Sequence, residues 1–229
     1  MKNVFSVVCL LVCFFVSVNA ATQESDSYKP NVLAARLMLG GATALIDGGV
    51  GDLEADDPKP RLAGGTEFAV NHYFSRTVAL NFGFGIMGKG YRAESSSPFG
   101  DITVRMAFLN MEIPFGVLFN LSGFRLGLDV VTSIVLSGKV DYSWGDESGS
   151  DTVEDWDGVR RVNILPRVTM GFAIPAGSLF IVPAVLWEMD MLNFHQDDEL
   201  SEEAREMINE DRTYRHMNIM FSLGLEWGV

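Results

Sequence analysis

Residues 70–85, VNHYFSRTVALNFGFG, decide the fold. Val70, His72 and Phe74 fall on one side of an extended chain, and Val78, Leu80, Phe82 and Phe84 resume that side after a tight turn at Ser75-Arg76. Asn71, Tyr73, Ala79, Asn81, Gly83 and Gly85 take the other side. Period-two alternation sends successive side chains to opposite faces of a strand. The stretch therefore reads as a hairpin with one apolar and one polar face.

Working outward, the same pattern predicts eight strands, at 32–45, 61–74, 77–91, 102–120, 124–142, 161–175, 178–194 and 213–228. Strand 124–142 is the most regular: Phe124, Leu126, Leu128, Val130, Thr132, Ile134 and Leu136 oppose Arg125, Gly127, Asp129, Ser133, Ser137, Lys139 and Asp141. In strand 102–120 the phase is clear only from Leu109 onward, and its first half has room for a bulge. Strands of soluble proteins average about five or six residues, whereas a tilted membrane strand needs about nine to eleven in the lipid alone.

The connections alternate. Ser75-Arg76, Leu121-Ser122-Gly123 and Pro175-Ala176-Gly177 are tight, whereas 46–60, 92–101, 143–160 and 195–212 are long and acidic. The last of these, through DDELSEEAREMINEDR, has Leu200, Ala204, Met207 and Ile208 at helical spacing. Short turns on one rim and long loops on the other are the layout of an all-β, eight-stranded antiparallel up-and-down transmembrane barrel. An even strand number puts both termini on the short-turn, periplasmic side.

The N-terminus agrees with export. Lys2, the apolar run VFSVVCLLVCFFV and the small-residue end Val18-Asn19-Ala20 form a signal peptide over 1–20, with cleavage expected after Ala20 and the barrel domain over 21–229. Cys9 and Cys13, the two cysteines, lie in that leader, each behind a valine where a lipidation site wants a small residue. The domain thus holds together without disulfides. With 30 acidic against 17 basic residues the chain carries a formal charge of −13, which disfavours nucleic acid as a partner.

Periodicity alone does not say which face is outside, since a soluble lipocalin-like barrel would be apolar within. Two features favour apolar outside. The polar face combines charges of both signs (Glu67, Lys89, Glu112, Arg125, Asp129, Lys139, Arg167, Glu188, Asp190 and Glu226) with small residues, which suits a narrow lumen where ions pair to offset desolvation. Aromatic residues gather near the ends of the apolar face: Tyr73, Phe74, Phe119, Phe124 and Trp227 toward the turns, and Tyr91, Tyr142, Trp144, Trp187 and Tyr214 toward the loops.

Residues 109–141, LNMEIPFGVLFNLSGFRLGLDVVTSIVLSGKVD, resemble the central hairpin of the PorT-like outer-membrane β-barrel family. The resemblance rests on Glu112-Ile113-Pro114, on Leu136-Ser137-Gly138-Lys139, on the Lys89-Gly90 pair that ends the preceding strand, and on the closing FSLGLEWGV. It implies the barrel fold and an outer-membrane location. The chain departs from the usual pattern in ending Trp227-Gly228-Val229, where such barrels end on an aromatic residue.

Candidate chemistry is sparse. His72 falls on the apolar stripe near the turns, His195 at a loop entrance and His216 on the polar face near the loops, so no Ser-His-Glu cluster of a lipid-modifying enzyme emerges. The loop carboxylates (Asp52, Glu54, Asp56 and Asp57; Asp146, Glu147, Asp151, Glu154, Asp155 and Asp157; Asp197, Asp198, Glu199, Glu202 and Glu203) lack EF-hand or nonapeptide calcium spacing and read as solvated. Lumen charges such as Arg125, Arg167, Glu112 and Glu188 would fill an eight-stranded barrel, which excludes a wide pore. The expectation is therefore an outer-membrane barrel with an envelope-structural or loop-mediated binding role, without enzymatic activity, cofactor, metal or catalytic residues. Its expected partners are outer-membrane lipid and lipopolysaccharide, the barrel-assembly machinery during insertion, and a protein bound at the loops. A lipid-modifying barrel enzyme and a soluble exported ligand-binding barrel are the rivals.

Overall fold

The computed structural model describes residues 31–47, 59–97, 100–144, 147–152, 161–191 and 213–228. The expected signal peptide, His195, the helical spacing at 200–208 and nearly all the acidic loop residues lie outside them.

The strands are β1 (Asn31–Asp47), β2 (Lys59–Tyr73), β3 (Val78–Ser97), β4 (Gly100–Leu121), β5 (Phe124–Trp144), β6 (Glu147–Thr152), β7 (Val162–Phe172), β8 (Ile174–Ala176), β9 (Leu179–Met189) and β10 (Thr213–Gly228). Each of β1 to β5 pairs antiparallel with the next, β5 continues to β7, and β7 and β8 both pair with β9. β10 pairs with β9 on one side and with β1 on the other, Leu37 facing Leu223 in the closing seam. β7 and β8 form one stave, interrupted at Ala173, whose N–H still reaches the Gly123 carbonyl at 2.7 Å. The ring is thus an eight-stranded antiparallel up-and-down barrel. Closure leaves no open sheet edge.

The first two short turns fall where the sequence puts them, whereas the third closes at Gly177-Ser178, because Pro175 and Ala176 pair with Phe180 and Leu179. Ser122 and Gly123 join β4 to β5 with φ of 52° and 92°, a two-residue hairpin with both central residues left-handed, a twist that matches the flanking strands. At the first turn the Ser75 hydroxyl accepts from the backbone N–H groups of Thr77 and Val78, at 3.2 and 3.1 Å.

Polar residues line the inside. In the opening hairpin Asn71, Tyr73, Ala79, Asn81, Gly83 and Gly85 are buried, and Val70, His72, Phe74, Phe82 and Phe84 are exposed. The outer wall carries large apolar side chains all round, among them Leu37, Phe68, Phe115, Val130, Met170 and Phe221.

Three differences from the sequence reading have clear causes. First, the bulge lies on β5 rather than β4. Leu109 pairs with Ser137 and Asn110 with Val135, so Leu136 is an extra residue. An unpaired residue reverses the phase beyond it. Lys139 therefore projects outward, beside Asp141 at 2.8 Å, and is not a lumen charge. Secondly, Tyr73 and Tyr91 point into the lumen and belong to no outer aromatic belt, unlike the exposed Phe74, and the same bulge puts the exposed Tyr142 on the face opposite to Lys139 and Asp141. Thirdly, β6 extends the β5 arm through a ladder from Lys139–Thr152 to Trp144–Glu147 inside a segment read as loop. Its sequence, ESGSDT, has no apolar face to reveal a strand.

Candidate functional site

The interior is built in tiers. Near the short turns Tyr73, Ala79 and Leu118 form an apolar floor. Above it Arg125 pairs with Glu226 at 2.9 Å, donates to the Tyr73 hydroxyl, and lies over that ring at 5.7 Å. Asn81 donates to Asp129 at 2.8 Å.

At mid-height lies a cluster of three cations and three carboxylates from six strands. Arg167 on β7 is central: Nη1 reaches Glu67 on β2 at 2.5 Å, Nε reaches Glu188 on β9 at 2.8 Å, and Nη2 pairs with Glu112 on β4. Lys89 on β3 bridges Glu112 and Glu188, each at 2.5 Å, and Arg36 on β1 takes the second oxygen of Glu67 at 2.7 Å. Asn218 on β10 donates to Glu188 at 2.8 Å. A guanidinium offers five donors in a rigid fork, which is why one arginine can serve three carboxylates. Arg167, Glu67, Glu112 and Glu188 are all nearly inaccessible to solvent.

Against this cluster packs an apolar plug of Met38, Ala42, Ala63, Met87, Leu186 and Met220. Toward the loops, His216 Nδ1 and backbone N–H both reach Asp190 Oδ2 at 3.1 Å, and Asn163 donates to the same oxygen at 3.3 Å. The Tyr91 and Phe108 rings flank the imidazole, with centroids 5.5 and 5.9 Å away. Of the histidines read from the sequence, His216 is thus inside and His72 outside, its Nδ1 2.8 Å from Asn31 Oδ1. No group of three or more His, Cys, Asp or Glu side chains arranged to hold a metal occurs among the described residues.

Sequence reasoning found every acidic member of the central cluster but missed Arg36 and the methionine plug. Arg36 shares its face with Ala34, Met38 and Ala42, a mixed stripe whose only polar mark is the arginine itself. Ion pairs and methionines fill the lumen at this height.

A second polar feature lies outside, at the loop end of the apolar wall. Lys59, Arg92, Arg105 and Asp141 are cross-strand neighbours in one row over β2, β3, β4 and β5. Glu94 pairs with Lys59 and Arg92, and the hydrogen bond from Lys59 holds its carboxyl below the usual range. The hydrogen bond from Lys139 does the same for Asp141.

No family model and no curated protein matches the chain. Among solved structures, Ail, the attachment invasion locus protein of Yersinia pestis, is 11% identical over 87% of this chain and 100% of its own, with a TM-score of 0.44. The outer membrane protease OmpT of Escherichia coli is 11% identical over 90% of this chain and 99% of its own, with a TM-score of 0.45. Neisserial surface protein A is 8% identical over 86% and 97%, with a TM-score of 0.36.

Proposed function

We propose that this chain is an integral outer-membrane β-barrel protein of the PorT-like kind. In this reading it is delivered by a leader cleaved after Ala20, inserted by the barrel-assembly machinery, and serves an envelope-structural or loop-mediated binding role. The observation that carries the reading is the direction of the alternation. Phe68, Phe82, Phe115 and Phe221 stand on the outer wall at 57–69% exposure, while Arg167, Glu67, Glu112 and Glu188 are buried within. In water, each large exposed apolar side chain forfeits about 1.5–3 kcal/mol of burial, and a wall of them would aggregate. In a bilayer that wall is the solvated surface, and closure satisfies the backbone. Arg167, Lys89 and the methionine plug close the lumen, so the protein conducts no wide aqueous stream. In this reading the activity resides at the rim and loops.

Fractionation of envelopes followed by denaturing electrophoresis, with and without boiling, tests this. A band in the outer-membrane fraction that changes mobility on heating is expected. Recovery as a soluble, heat-indifferent periplasmic protein would overturn the reading.

A further inference from the structure

The outer wall is not uniform. Between β2 and β3 the ladder slips: Pro60 pairs with Tyr91 and Gly64 with Gly88, leaving Arg61, Leu62 and Ala63 against Lys89 and Gly90. The bulge coincides with a run of positions without large side chains on the outward face. Gly64, Gly88, Gly90 and Ala107 form the floor of a groove of about 350 Å³, with Leu39 and Leu62, both strongly exposed, along its wall. Elsewhere the same band carries leucine and phenylalanine. Here it is a trench.

The loop end of the trench is rimmed by cations. Arg61 lines the groove itself and is tied by one hydrogen bond, 3.0 Å, to the Met106 carbonyl. Lys139 is the cross-strand neighbour of Ala107 on the floor, projecting outward because of the Leu136 bulge. Two residues higher runs the row of Lys59, Arg92 and Arg105. Among the described residues Arg105 makes no ion pair. Among the described residues, with Glu94 and Asp141 counted, the patch holds five cations against two carboxylates, on a chain whose formal charge is −13. An apolar trench capped by an excess of positive charge complements an anionic amphiphile: alkyl chain below, phosphate above.

The breadth of the patch selects the kind. Neighbouring strands lie about 4.8 Å apart, so cations spread from β2 to β5 span roughly 14 Å. A single phosphate cannot touch both ends of such a row, but a headgroup carrying two separated phosphates can. Resting on the membrane reading above, we propose that this face binds one phosphorylated, multiply acylated glycolipid of the lipid A class. One acyl chain lies over Gly88 and Gly90, and the phosphates meet Arg61, Arg105 and Lys139. The site lies on the long-loop side, where such a lipid's leaflet is.

Two variants separate the halves of the site. A side chain at position 88 would begin in open space, its Cβ meeting only the Gly64 carbonyl oxygen at 3.6 Å, so Gly88→Leu fills the trench without backbone strain. Arg105→Gln removes an exposed, unpaired charge. The full mature chain, refolded in mild detergent and checked by its heat shift, would be titrated with bis-phosphorylated hexa-acyl lipid A, its dephosphorylated form and phosphatidylglycerol. Bound lipid would be counted by native mass spectrometry. One bis-phosphorylated lipid A per barrel is expected, with affinity about tenfold weaker for each variant and for each of the other lipids. Equal retention by wild type and both variants, or phosphatidylglycerol held as tightly as lipid A, would overturn the site while leaving a heat-shifting membrane barrel intact. A soluble, heat-indifferent chain would overturn the membrane reading and the site together.

Discussion

Arg167 on β7 and Glu188 on β9 face each other directly across the sheet, and Nε of the arginine donates to Oε2 of the glutamate at 2.8 Å. The same guanidinium also serves Glu67 and Glu112, so one side chain joins four strands through the lumen. Truncation would leave three buried carboxylates with only Lys89 and Arg36 to neutralise them. Breaking a buried ion pair by removing one partner costs about 3–5 kcal/mol. Arg167→Met should therefore lower unfolding free energy by about that amount, measured by urea titration in lipid vesicles with the heat-shifted band as readout. A loss below about 1 kcal/mol would mean the cluster is solvated and exchangeable.

The outer wall yields the opposite substitution. Phe221, on the outward face midway along β10, is 69% exposed. A lysine near the bilayer midplane of a membrane barrel costs about 2–4 kcal/mol. Phe221→Lys should therefore be destabilising in vesicles, while Ser222→Ala, one residue away and inside, should be nearly silent. In a water-soluble barrel Phe221→Lys would instead be harmless or favourable, so the pair of measurements reads which face meets lipid.

Most of this architecture was legible in the chain because alternation is a strong signal where a wall is apolar on one side and polar on the other. At 70–74, 78–85, 162–172 and 216–227 each residue's observed burial follows its parity. Much of what escaped is information held in the partner strand. Leu136 continues a run of alternating aliphatic residues, and only its lack of a cross-strand partner shows the phase reversal that turns Lys139 outward. β6 is strand by virtue of pairing with β5, not by its own composition. Met38, Met87 and Met220 look like wall residues in sequence, yet their parity puts them in the lumen as filler, a role suited to a flexible, unbranched side chain. The trench between β2 and β3 exists only when Gly64, Gly88 and Ala107 are laid side by side.

Ser122 holds φ of 52°, a left-handed conformation that costs a residue with a Cβ about 1 kcal/mol relative to glycine. Asn followed by Gly is the preferred pair for this two-residue turn. Ser122→Asn should stabilise the barrel by a few tenths up to about 1 kcal/mol, and Ser122→Gly should do likewise, read as a rise in the urea midpoint. A Ser122→Val substitution, β-branched at the same φ, should lower it. If Val were tolerated as well as Asn, the turn would not hold this conformation in solution.

The Leu136 bulge makes the sharpest structural prediction, because one extra residue decides which sequence parity faces outward in the chain above it. Ser133, below the bulge, is buried in the lumen, whereas Lys139, above it, projects outward with its side chain 58% exposed. With Cys9 and Cys13, the two cysteines of the chain, replaced by serine, single-cysteine variants report without background. Lys139→Cys should react quickly with a water-soluble maleimide on the folded barrel, and Ser133→Cys only after heating. Deleting Leu136 joins Val135 directly to Ser137, so alternation becomes unbroken while Ser137 keeps Leu109 as its partner and every residue above keeps its face. In that background the thiol introduced at Lys139 should stay reactive, and one introduced at Gly138 should stay protected. Protection at position 139 once Leu136 is deleted would show that Leu136 is not the extra residue and that the bulge does not set the outward cations.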